Sequence, residues 1–209
     1  GIVYKNGNYN RVVSAGTFWL MFNERVETCK VDALYSNFEK LDILLQDERF
    51  RAMVEVLEVK DSQIALHFVN GNFASVLKPG RYFYFKGFAT IKFIVAELSK
   101  VEITEGINLA VLLRSEVAQY IRAFSVAAYE EGLLFVDGKF QRKLAKGTYY
   151  FWKNAISVEV LKADLRQLQM EISGQEILTL DKAALRLNFY AQYRVADTEV
   201  ALLNNKDFE

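Results

Sequence analysis

The sequence predicts an α+β protein that is dominated by β-structure and built from tandem antiparallel hairpin and meander modules with short helices. Three observations support this class. An Asn-Gly or Asp-Gly dipeptide stands between alternating apolar segments at three places, Asn6-Gly7, Asn70-Gly71 and Asp137-Gly138. A second glycine follows each dipeptide at a gap of nine residues, and an aromatic cluster follows that glycine. The helix-like stretches between these segments are short.

Each dipeptide predicts a two-residue hairpin turn of type I′, because both central residues of that turn need a positive φ, which Asn, Asp and Gly adopt most easily. The constant gap to the second glycine predicts a strand of fixed length and then a second turn, for which Pro79-Gly80 has the clearest chemistry. A further strand is expected after each second glycine. These strands carry the aromatic pairs Phe18-Trp19, Tyr82-Phe83 and Tyr149-Tyr150, after Gly16, Gly80 and Gly147 respectively.

The similarity between the copies extends upstream of the hairpins. The segment LLQDERFRAMVEVLEV, from Leu44, resembles LLRSEVAQYIRAFSV, from Leu112. Asp47 and Ser115 are the predicted helix N-caps, and each is followed by Glu. Each unit is therefore expected to contain a short helix, a strand, and a meander of two or three more strands. The predicted division is a partial first module at 1–44, a second module at 45–111 and a third at 112–209.

The pattern changes after the third hairpin, where two long alternating segments follow one another. They are QLQMEISGQEILTLD, from Gln167, and AALRLNFYAQYRV, from Ala183, with a junction near Asp181-Lys182. Alternation in the second segment predicts a strand with one apolar face. That face carries Leu185, Leu187, Phe189, Ala191 and Tyr193. A helix is expected to start at Asp197-Thr198.

Composition excludes several functional classes. The chain of 209 residues has 26 basic and 26 acidic side chains, which argues against broad electrostatic binding of nucleic acid. One Cys excludes an intrachain disulfide and a multi-cysteine zinc site, and it fits a reducing compartment. The sequence contains neither a signal peptide pattern nor an apolar run of roughly 18 residues. Because Gly1 leads almost directly into a strand pattern and the chain stops after NNKDFE, we expect a piece of a longer protein.

Residue types that carry chemistry are sparse. His67, the only histidine, and Cys29 each lack a nearby partner in sequence, so structural roles are expected for both. Asp164 with Arg166 indicates a structural or solvated ion pair. The glycines are isolated turn residues and form no phosphate-binding loop. The sequence therefore predicts no catalytic, metal or cofactor site, and the protein is not expected to be an enzyme.

The third hairpin and the segments that follow it resemble the start of a band 7, or SPFH, domain of the stomatin–prohibitin type. The resemblance covers roughly residues 130–209. The extended front end, with its two further hairpins, resembles the bacterial slipin branch of this family. The family normally has an N-terminal hydrophobic segment and a C-terminal coiled coil, and neither is in this sequence. The matching positions are Gly132, Gly147, Asp164 with Arg166, Thr179 with Asp181, and Tyr193-Arg194-Val195 with Asp197.

The resemblance implies a membrane-associated scaffold that forms homo-oligomers on the cytoplasmic face of a membrane. Such a scaffold would organise lipid or regulate neighbouring membrane proteins, often membrane proteases, and needs no cofactor. The 209-residue piece of it is expected to be soluble. A peptide- or protein-binding adaptor for a partner membrane protease is the alternative, and it would need a groove or an open strand edge.

Two features are candidates for contact with a membrane or a partner. The aromatic cluster at 148–154 suits a membrane interface, although an ordinary core strand with one aromatic face is the favoured explanation, because all three copies repeat the pattern. The basic side chains of the third hairpin, Lys139, Arg142, Lys143 and Lys146, suit anionic headgroups or a neighbouring subunit, although a solvated edge blunted by charge explains them too. The predicted contact residues are Tyr149, Tyr150, Trp152, Lys153, Arg142 and Lys143.

Overall fold

The structure is a computed structural model that describes residues 1–36, 38 and 40–204. It is 50% strand and 12% helix, which confirms the predicted β-dominated α+β class. The chain divides into two compact units, residues 1–119 and residues 120–209. The three-module division with boundaries after residues 44 and 111 stays a prediction, because compactness and repetition of a motif are different criteria.

The first unit contains nine described strands and four described short helices. The strands are β1 (Ile2–Lys5), β2 (Asn8–Val12), β3 (Glu24–Glu27), β4 (Leu34–Ser36), β5 (Val54–Val59), β6 (Gln63–Val69), β7 (Asn72–Leu77), β8 (Gly80–Phe85) and β9 (Ile91–Glu97). The helices are α1 (Leu41–Leu44), α2 (Glu48–Met53), α3 (Leu109–Leu112) and α4 (Ser115–Ala118). The strands form three antiparallel sheets with the orders β2-β1-β3, β4-β8-β5 and β7-β6-β9.

The second unit contains seven described strands and one described helix. The strands are β10 (Ile121–Val126), β11 (Glu130–Val136), β12 (Lys139–Leu144), β13 (Gly147–Trp152), β14 (Val158–Asp164), β15 (Leu168–Leu178) and β16 (Ala184–Tyr193), and the helix is α5 (Thr198–Asn204). They form an antiparallel sheet of order β12-β11-β14 and the antiparallel pairs β10-β13 and β15-β16.

All three predicted turns are confirmed. The dipeptides have φ values of 53° and 82° at Asn6-Gly7, 49° and 82° at Asn70-Gly71, and 51° and 71° at Asp137-Gly138. They connect β1 to β2, β6 to β7 and β11 to β12. At such angles the Cβ of most residues clashes with its own backbone, so the glycine determines the position of the turn in each hairpin.

The second and third hairpin segments, residues 54–97 and 121–164, have the same architecture. In each, the first strand of the hairpin (β6 or β11) is the centre of a three-stranded sheet, between the second hairpin strand (β7 or β12) and the last strand of the segment (β9 or β14). The strand ahead of the hairpin (β5 or β10) pairs with the strand after the second glycine (β8 or β13). The register is also the same, because the last residue of the preceding strand lies opposite that glycine. Val59 is opposite Gly80, and Val126 is opposite Gly147. The predicted helix, strand and hairpin are present in order in both cases, but the predicted meander is wrong, because the strand after the second glycine pairs with the strand ahead of the hairpin and not with its neighbour in sequence.

One of the two predicted caps is confirmed. The Asp47 carboxylate accepts the backbone N–H of Arg49 at 2.8 Å and begins α2. Ser115 was the wrong residue for α4, because it is already the first helical residue and its hydroxyl donates to the Glu116 carboxylate instead. Arg114 precedes that helix in an extended conformation and provides no side-chain cap.

The two hydrophobic cores are rich in aromatic side chains. In the first unit, Phe83 stacks on Tyr35 with ring centres 4.9 Å apart and meets Phe50 edge-on at 5.7 Å. This cluster also joins Ile2 of β1 to the α1–α2 helices. In the second unit the fully buried side chains are Leu133, Leu134, Leu144, Phe151, Trp152 and Ala163. Both faces of β8 and of the end of β13 are covered, so consecutive aromatic residues are buried in each.

The first hairpin segment, residues 1–27, departs from the prediction. A strand was expected after Gly16, but residues 16–22 are not a strand, and Phe18, Trp19 and Phe22 are 39%, 92% and 89% exposed. The reason is that a strand needs a hydrogen-bonded neighbour. The corresponding strand β8 has β5 and β4 as neighbours, whereas no strand in the described part of the chain pairs with residues 16–22.

Candidate contact surface

The β15–β16 ribbon presents an exposed apolar surface in the second unit. Its register places Met170 opposite Ala191, Ile172 opposite Phe189, and Ile177 opposite Leu185. Because side chains alternate along a strand, these pairs share one face, which also carries Leu168, Leu187 and Tyr193. We call these nine residues the apolar ribbon face. The opposite face carries mainly polar side chains, among them Gln169, Glu171, Glu176, Arg186, Tyr190 and Gln192.

The apolar ribbon face is open to solvent. Ile172, Ile177 and Phe189 are 44%, 47% and 52% exposed. The ribbon has two strands, and no further strand in the described chain lies on either outer edge. Contiguous exposed apolar patches with a polar rim mark interaction sites, and an isolated two-stranded ribbon is only marginally stable in water. The ribbon is therefore a surface that gains stability when another surface covers it.

A β-bulge keeps the apolar ribbon face continuous. Ile172 and Ile177 are five residues apart, so a regular strand would point them to opposite faces. The register shifts between Ile172 and Gln175, where β15 has one residue more than β16, and this returns Ile177 to the face of Ile172. Gly174 takes a φ of 72° in the bulge, and its N–H donates to the Asn188 side chain at 3.0 Å.

The predicted aromatic contact residues lie in and just after β13, which pairs with β10. Trp152 is completely buried opposite Ile121, so it belongs to the core of the unit. Tyr149 and Tyr150 are half-buried, and Lys153 is exposed. The structure thus leaves the two tyrosines and Lys153 accessible, and it removes Trp152 from the surface.

The predicted basic contact residues lie on β12. The Arg142 guanidinium is 6.0 Å from the centre of the Tyr149 ring. Lys143 Nζ donates to Asp197 Oδ1 at 3.1 Å, and this hydrogen bond raises the pKa of Lys143 and lowers that of Asp197. Asp197 also accepts the backbone N–H of Glu199 at 2.9 Å, so it caps the predicted helix α5. The charge of Lys143 is therefore already balanced, and it adds little attraction for an anionic partner.

A buried ion pair in the first unit was not foreseen from the sequence. The Glu24 side chain is fully buried and accepts hydrogen bonds from Arg11, from Asn10 and from the backbone N–H of Met21. The hydrogen bond from Arg11 is the main reason why the pKa of Glu24 falls to about 2. The pair also hydrogen-bonds to the segment at 16–22, because Arg11 donates to Trp19 C=O and Glu24 accepts from Met21 N–H. No sequence signal distinguishes Glu24 from other acidic residues that follow a turn.

The two residues with potential for chemistry occupy structural positions. His67 is buried, stacks on Phe93 with ring centres 5.2 Å apart, and has Nδ1 3.3 Å from the Ser75 hydroxyl, and its burial lowers its pKa. Cys29 is half-buried, and burial raises the pKa of its thiol, which disfavours the reactive thiolate. Within the described ranges, no group of three or more His, Cys, Asp or Glu side chains is arranged to hold a metal ion.

The polar residues that carry the family resemblance stabilise turns. Arg166 Nε donates to Asp164 at 2.9 Å, and its guanidinium lies 3.8 Å from the centre of the Tyr129 ring. Thr179 donates to Asp181 within the turn of the ribbon, and the bond lowers the pKa of Asp181. The geometry brings these residues to separate turns and not to one site. None of the helices in the described part of the chain combines the length and apolar composition that crossing a bilayer requires.

Comparison with known proteins supports the resemblance for the second unit. Residues 124–206 match the SPFH domain / Band 7 family. An uncharacterised protein of Methanocaldococcus jannaschii is 36% identical over 84 residues, which are 40% of this chain and 41% of that protein. Stomatin of Mus musculus is 27% identical over 94 residues, which are 45% of this chain and 33% of stomatin. The chain thus spans less than half the length of these relatives, and no solved structure gives a significant match. Residues 124–206 are therefore similar to a Band 7 / SPFH domain, in agreement with the resemblance seen in the sequence.

Proposed function

We propose that this chain is the head of a non-catalytic, membrane-associated scaffold of the stomatin and slipin type, which assembles with copies of itself. The apolar ribbon face carries this proposal, because it lies within the part of the chain that matches the Band 7 family and is open to solvent. The two hairpin segments ahead of that part are what favours the bacterial slipin branch. The scaffold organises lipid and neighbouring membrane proteins on the cytoplasmic face of the membrane.

Assembly follows from the energetics of the ribbon. Burying apolar surface stabilises an interface by about 25 cal/mol per Å² of apolar area removed from water. A neighbouring copy that covers the ribbon removes its exposed Ile, Leu and Phe side chains from water. The polar opposite face then remains in solvent, so the association is directional.

Light scattering after size-exclusion chromatography tests assembly in the full-length protein. Phe189→Lys places a charge on the apolar ribbon face, and Tyr190→Lys places the same charge on the opposite face of the same strand. These adjacent aromatic residues are 52% and 62% exposed, so they are closely matched. We expect Phe189→Lys to reduce the assembly to smaller species and Tyr190→Lys to leave its mass unchanged. Equal masses for both variants and the unsubstituted protein would refute the proposed interface.

Lipid contact is assigned to the accessible members of the predicted set, Tyr149, Tyr150, Lys153 and Arg142. Co-sedimentation with vesicles that contain anionic phospholipid tests this assignment, because a basic and aromatic surface binds such vesicles and loses affinity in high salt. We expect Lys153→Glu to weaken binding. The double variant Lys143→Gln, Asp197→Asn is the control, because it removes both charges of an ion pair and keeps the local net charge, so we expect no change.

The outer edges of the ribbon favour a second candidate, an adaptor that binds an extended segment of a partner membrane protease. An open strand edge accepts a peptide by adding a strand. In that case a synthetic extended peptide would protect the backbone amides of β15 or β16 from hydrogen exchange while the protein stays monomeric. A scaffold predicts the opposite combination, in which these amides are protected only in the assembly.

A further inference from the structure

The segment at 16–22 has the sequence of a strand, and its first glycine has the φ of the glycines that begin two paired strands. Gly16 has a φ of 153°, and the glycines that begin β8 and β13 have φ values of 152° and 151°. The aromatic residues that follow are mostly exposed here, with Trp19 at 92%, whereas Phe83, its equivalent in the second hairpin segment, is 1% exposed. Equivalent aromatic residues after a glycine of the same φ therefore have very different surroundings in the two segments.

Hydrogen bonding in this segment alternates in the way expected of a strand with one open edge. Trp19 C=O accepts from Arg11, and Met21 N–H donates to the buried Glu24 carboxylate. In residues 1–36, 38 and 40–204, no hydrogen bond involves the backbone groups of the alternate residues Gly16, Phe18, Leu20 and Phe22. The backbone groups of the odd-numbered residues Trp19 and Met21 bond to the Arg11–Glu24 ion pair. The backbone groups of the even-numbered residues point to the opposite edge, which is free to accept a strand.

The even-numbered side is the one that binds a strand in the other two segments. Lys86 N–H donates to Met53 C=O at 2.9 Å, and Lys153 N–H donates to Tyr120 C=O at 2.7 Å. Both bonds join the end of the aromatic strand to the residue just before its preceding partner strand. Phe22 is the equivalent of Lys86 and Lys153. The open amides of residues 16–22 thus face the direction from which β5 and β10 approach their partners.

A glycine lies at or just before the start of the hairpin in the first and third segments, and its packing indicates where the side chains of such a strand would go. At Gly132, a Cβ position lies 3.0 Å from Val160, 3.2 Å from Val126 of β10 and 3.4 Å from Leu144. At Gly1, the equivalent residue, the three nearest atoms belong to Val26 at 2.9 Å, to the Glu27 carbonyl at 3.4 Å and to Val13 at 3.5 Å, so Val126 has no counterpart among them.

The same place in the first unit is a cavity. Gly1 and Val13 line an apolar cavity of about 470 Å³, which also touches Phe50 and Phe85 of the core. In the second hairpin segment the equivalent position is filled by Val59, the last residue of β5, within a cluster that includes Leu77 and Tyr82. A β-branched side chain at the end of an incoming strand fits this cavity.

We propose that residues 16–22 are the acceptor for an antiparallel β-strand supplied by the polypeptide ahead of Gly1 in the longer protein. The two internal precedents identify this occupant, because β5 and β10 each lie immediately upstream of the hairpin that they complete. In both, the partner strand ends twelve residues before the turn glycine, with Val59 before Gly71 and Val126 before Gly138. The same spacing places the end of the incoming strand six residues ahead of Gly1, with its last residue opposite Gly16 and its first opposite Met21.

Amide-resolved hydrogen exchange tests this inference in the 209-residue chain and in the longer protein that keeps its native polypeptide ahead of Gly1. We expect the amides of Phe18, Leu20 and Phe22 to exchange about 100-fold more slowly in the longer protein, because paired strand amides exchange only through opening. The amide of Met21 is the internal control, since its donor already has a partner in the shorter chain. Equal rates for the three amides in both proteins would overturn the inference.

Two substitutions sharpen the test. Leu20→Pro removes an N–H that faces the incoming strand, and Trp19→Pro removes one that faces the other edge. In the longer protein we expect only Leu20→Pro to abolish the protection of Phe18 and Phe22. In the shorter chain neither change is expected to lower the melting temperature. Loss of protection in both variants, or in neither, would contradict the proposed register.

Concentration distinguishes the proposed strand from a second copy of the chain. An intramolecular strand protects the amides equally at all protein concentrations and in a particle of monomer mass. Protection that disappears on dilution together with a dimer mass would assign the edge to a second copy and overturn the inference. As a further check, the sequence of residues 47–64 can be joined directly ahead of Gly1, which reproduces the spacing of the second segment. Protection of the same three amides in this chain is expected, and its absence would contradict the acceptor geometry.

Discussion

Replacement of the two tryptophans separates core from surface among the aromatic clusters. The chain has two Trp residues, and Trp152 is fully buried whereas Trp19 is 92% exposed. The same substitution, Trp→Ala, therefore has opposite expected effects at the two sites. If the aromatic cluster of the third hairpin were a membrane-contacting surface, both substitutions would leave folding almost unchanged.

The expected magnitude follows from burial. An aromatic side chain of this size buries about 200 Å², which at about 25 cal/mol per Å² corresponds to about 5 kcal/mol. Mutational series give about 3 to 5 kcal/mol for removal of a buried Trp side chain. We therefore expect Trp152→Ala to lower the free energy of unfolding of the second unit by about 3 to 5 kcal/mol. Trp19→Ala is expected to change it by less than about 0.5 kcal/mol.

Urea unfolding followed by circular dichroism measures both effects. With a denaturant dependence of about 1 to 3 kcal/mol per M, Trp152→Ala shifts the midpoint by more than about 1 M. Because so large a loss could prevent folding altogether, Trp152→Phe provides a graded variant with an expected loss of about 2 kcal/mol. Equal midpoints for Trp152→Phe, Trp19→Ala and the unsubstituted protein would refute the assignment of Trp152 to the core.

Three further predictions concern local features of the fold. Gly138→Ala should lower the free energy of unfolding by about 1 kcal/mol, measured by thermal denaturation, because φ is 71° there; an unchanged melting temperature would contradict the turn assignment. Asp47→Ala should cost about 1 kcal/mol through loss of the cap of α2, whereas Asp47→Asn retains most of the stability, and equal losses would exclude capping as the cause. The Arg11 hydrogen bond depresses the pKa of Glu24 from its ordinary 4.5 to about 2, so its stabilisation is present above pH 4.5 and is lost as the pH falls towards 2. A Glu24→Gln protein should therefore have a flatter stability profile between these pH values, and a profile that is parallel to that of the unsubstituted protein would contradict this linkage.

Features that depend on a few neighbouring residues could be predicted from the sequence. The turn at Asn70-Gly71 is one example, because the positive φ values are set locally. The apolar face of β16 is another, because alternation alone defines it. The bulge in β15 could not be found in this way. Gly174 lies in the bulge. A glycine in a strand can indicate either a bulge or a site where another backbone packs closely, and only the partner strand decides between the two.

Features that depend on distant partners could not be predicted. The aromatic clusters after Gly16 and Gly80 have similar sequences, yet one is exposed and the other is buried, because only the second has a neighbouring strand in the described chain. The burial of Trp152 has the same origin. Its sequence fits both an interfacial strand and a strand covered on both faces, and only the packing of β13 distinguishes them.

The bulge restricts the changes of length that the β15–β16 ribbon can tolerate. While the bulge is kept, one inserted or deleted residue between Ile172 and Ile177 would turn the outer half of the ribbon over and place Ile177 among the polar side chains. Changes of length are therefore tolerable only in pairs, or when a single change also removes the bulge, because Ile172 and Ile177 then lie an even number of residues apart in a regular strand. An alignment of relatives that ignores this restriction would match apolar positions of one protein with polar positions of another, although their ribbons present the same face.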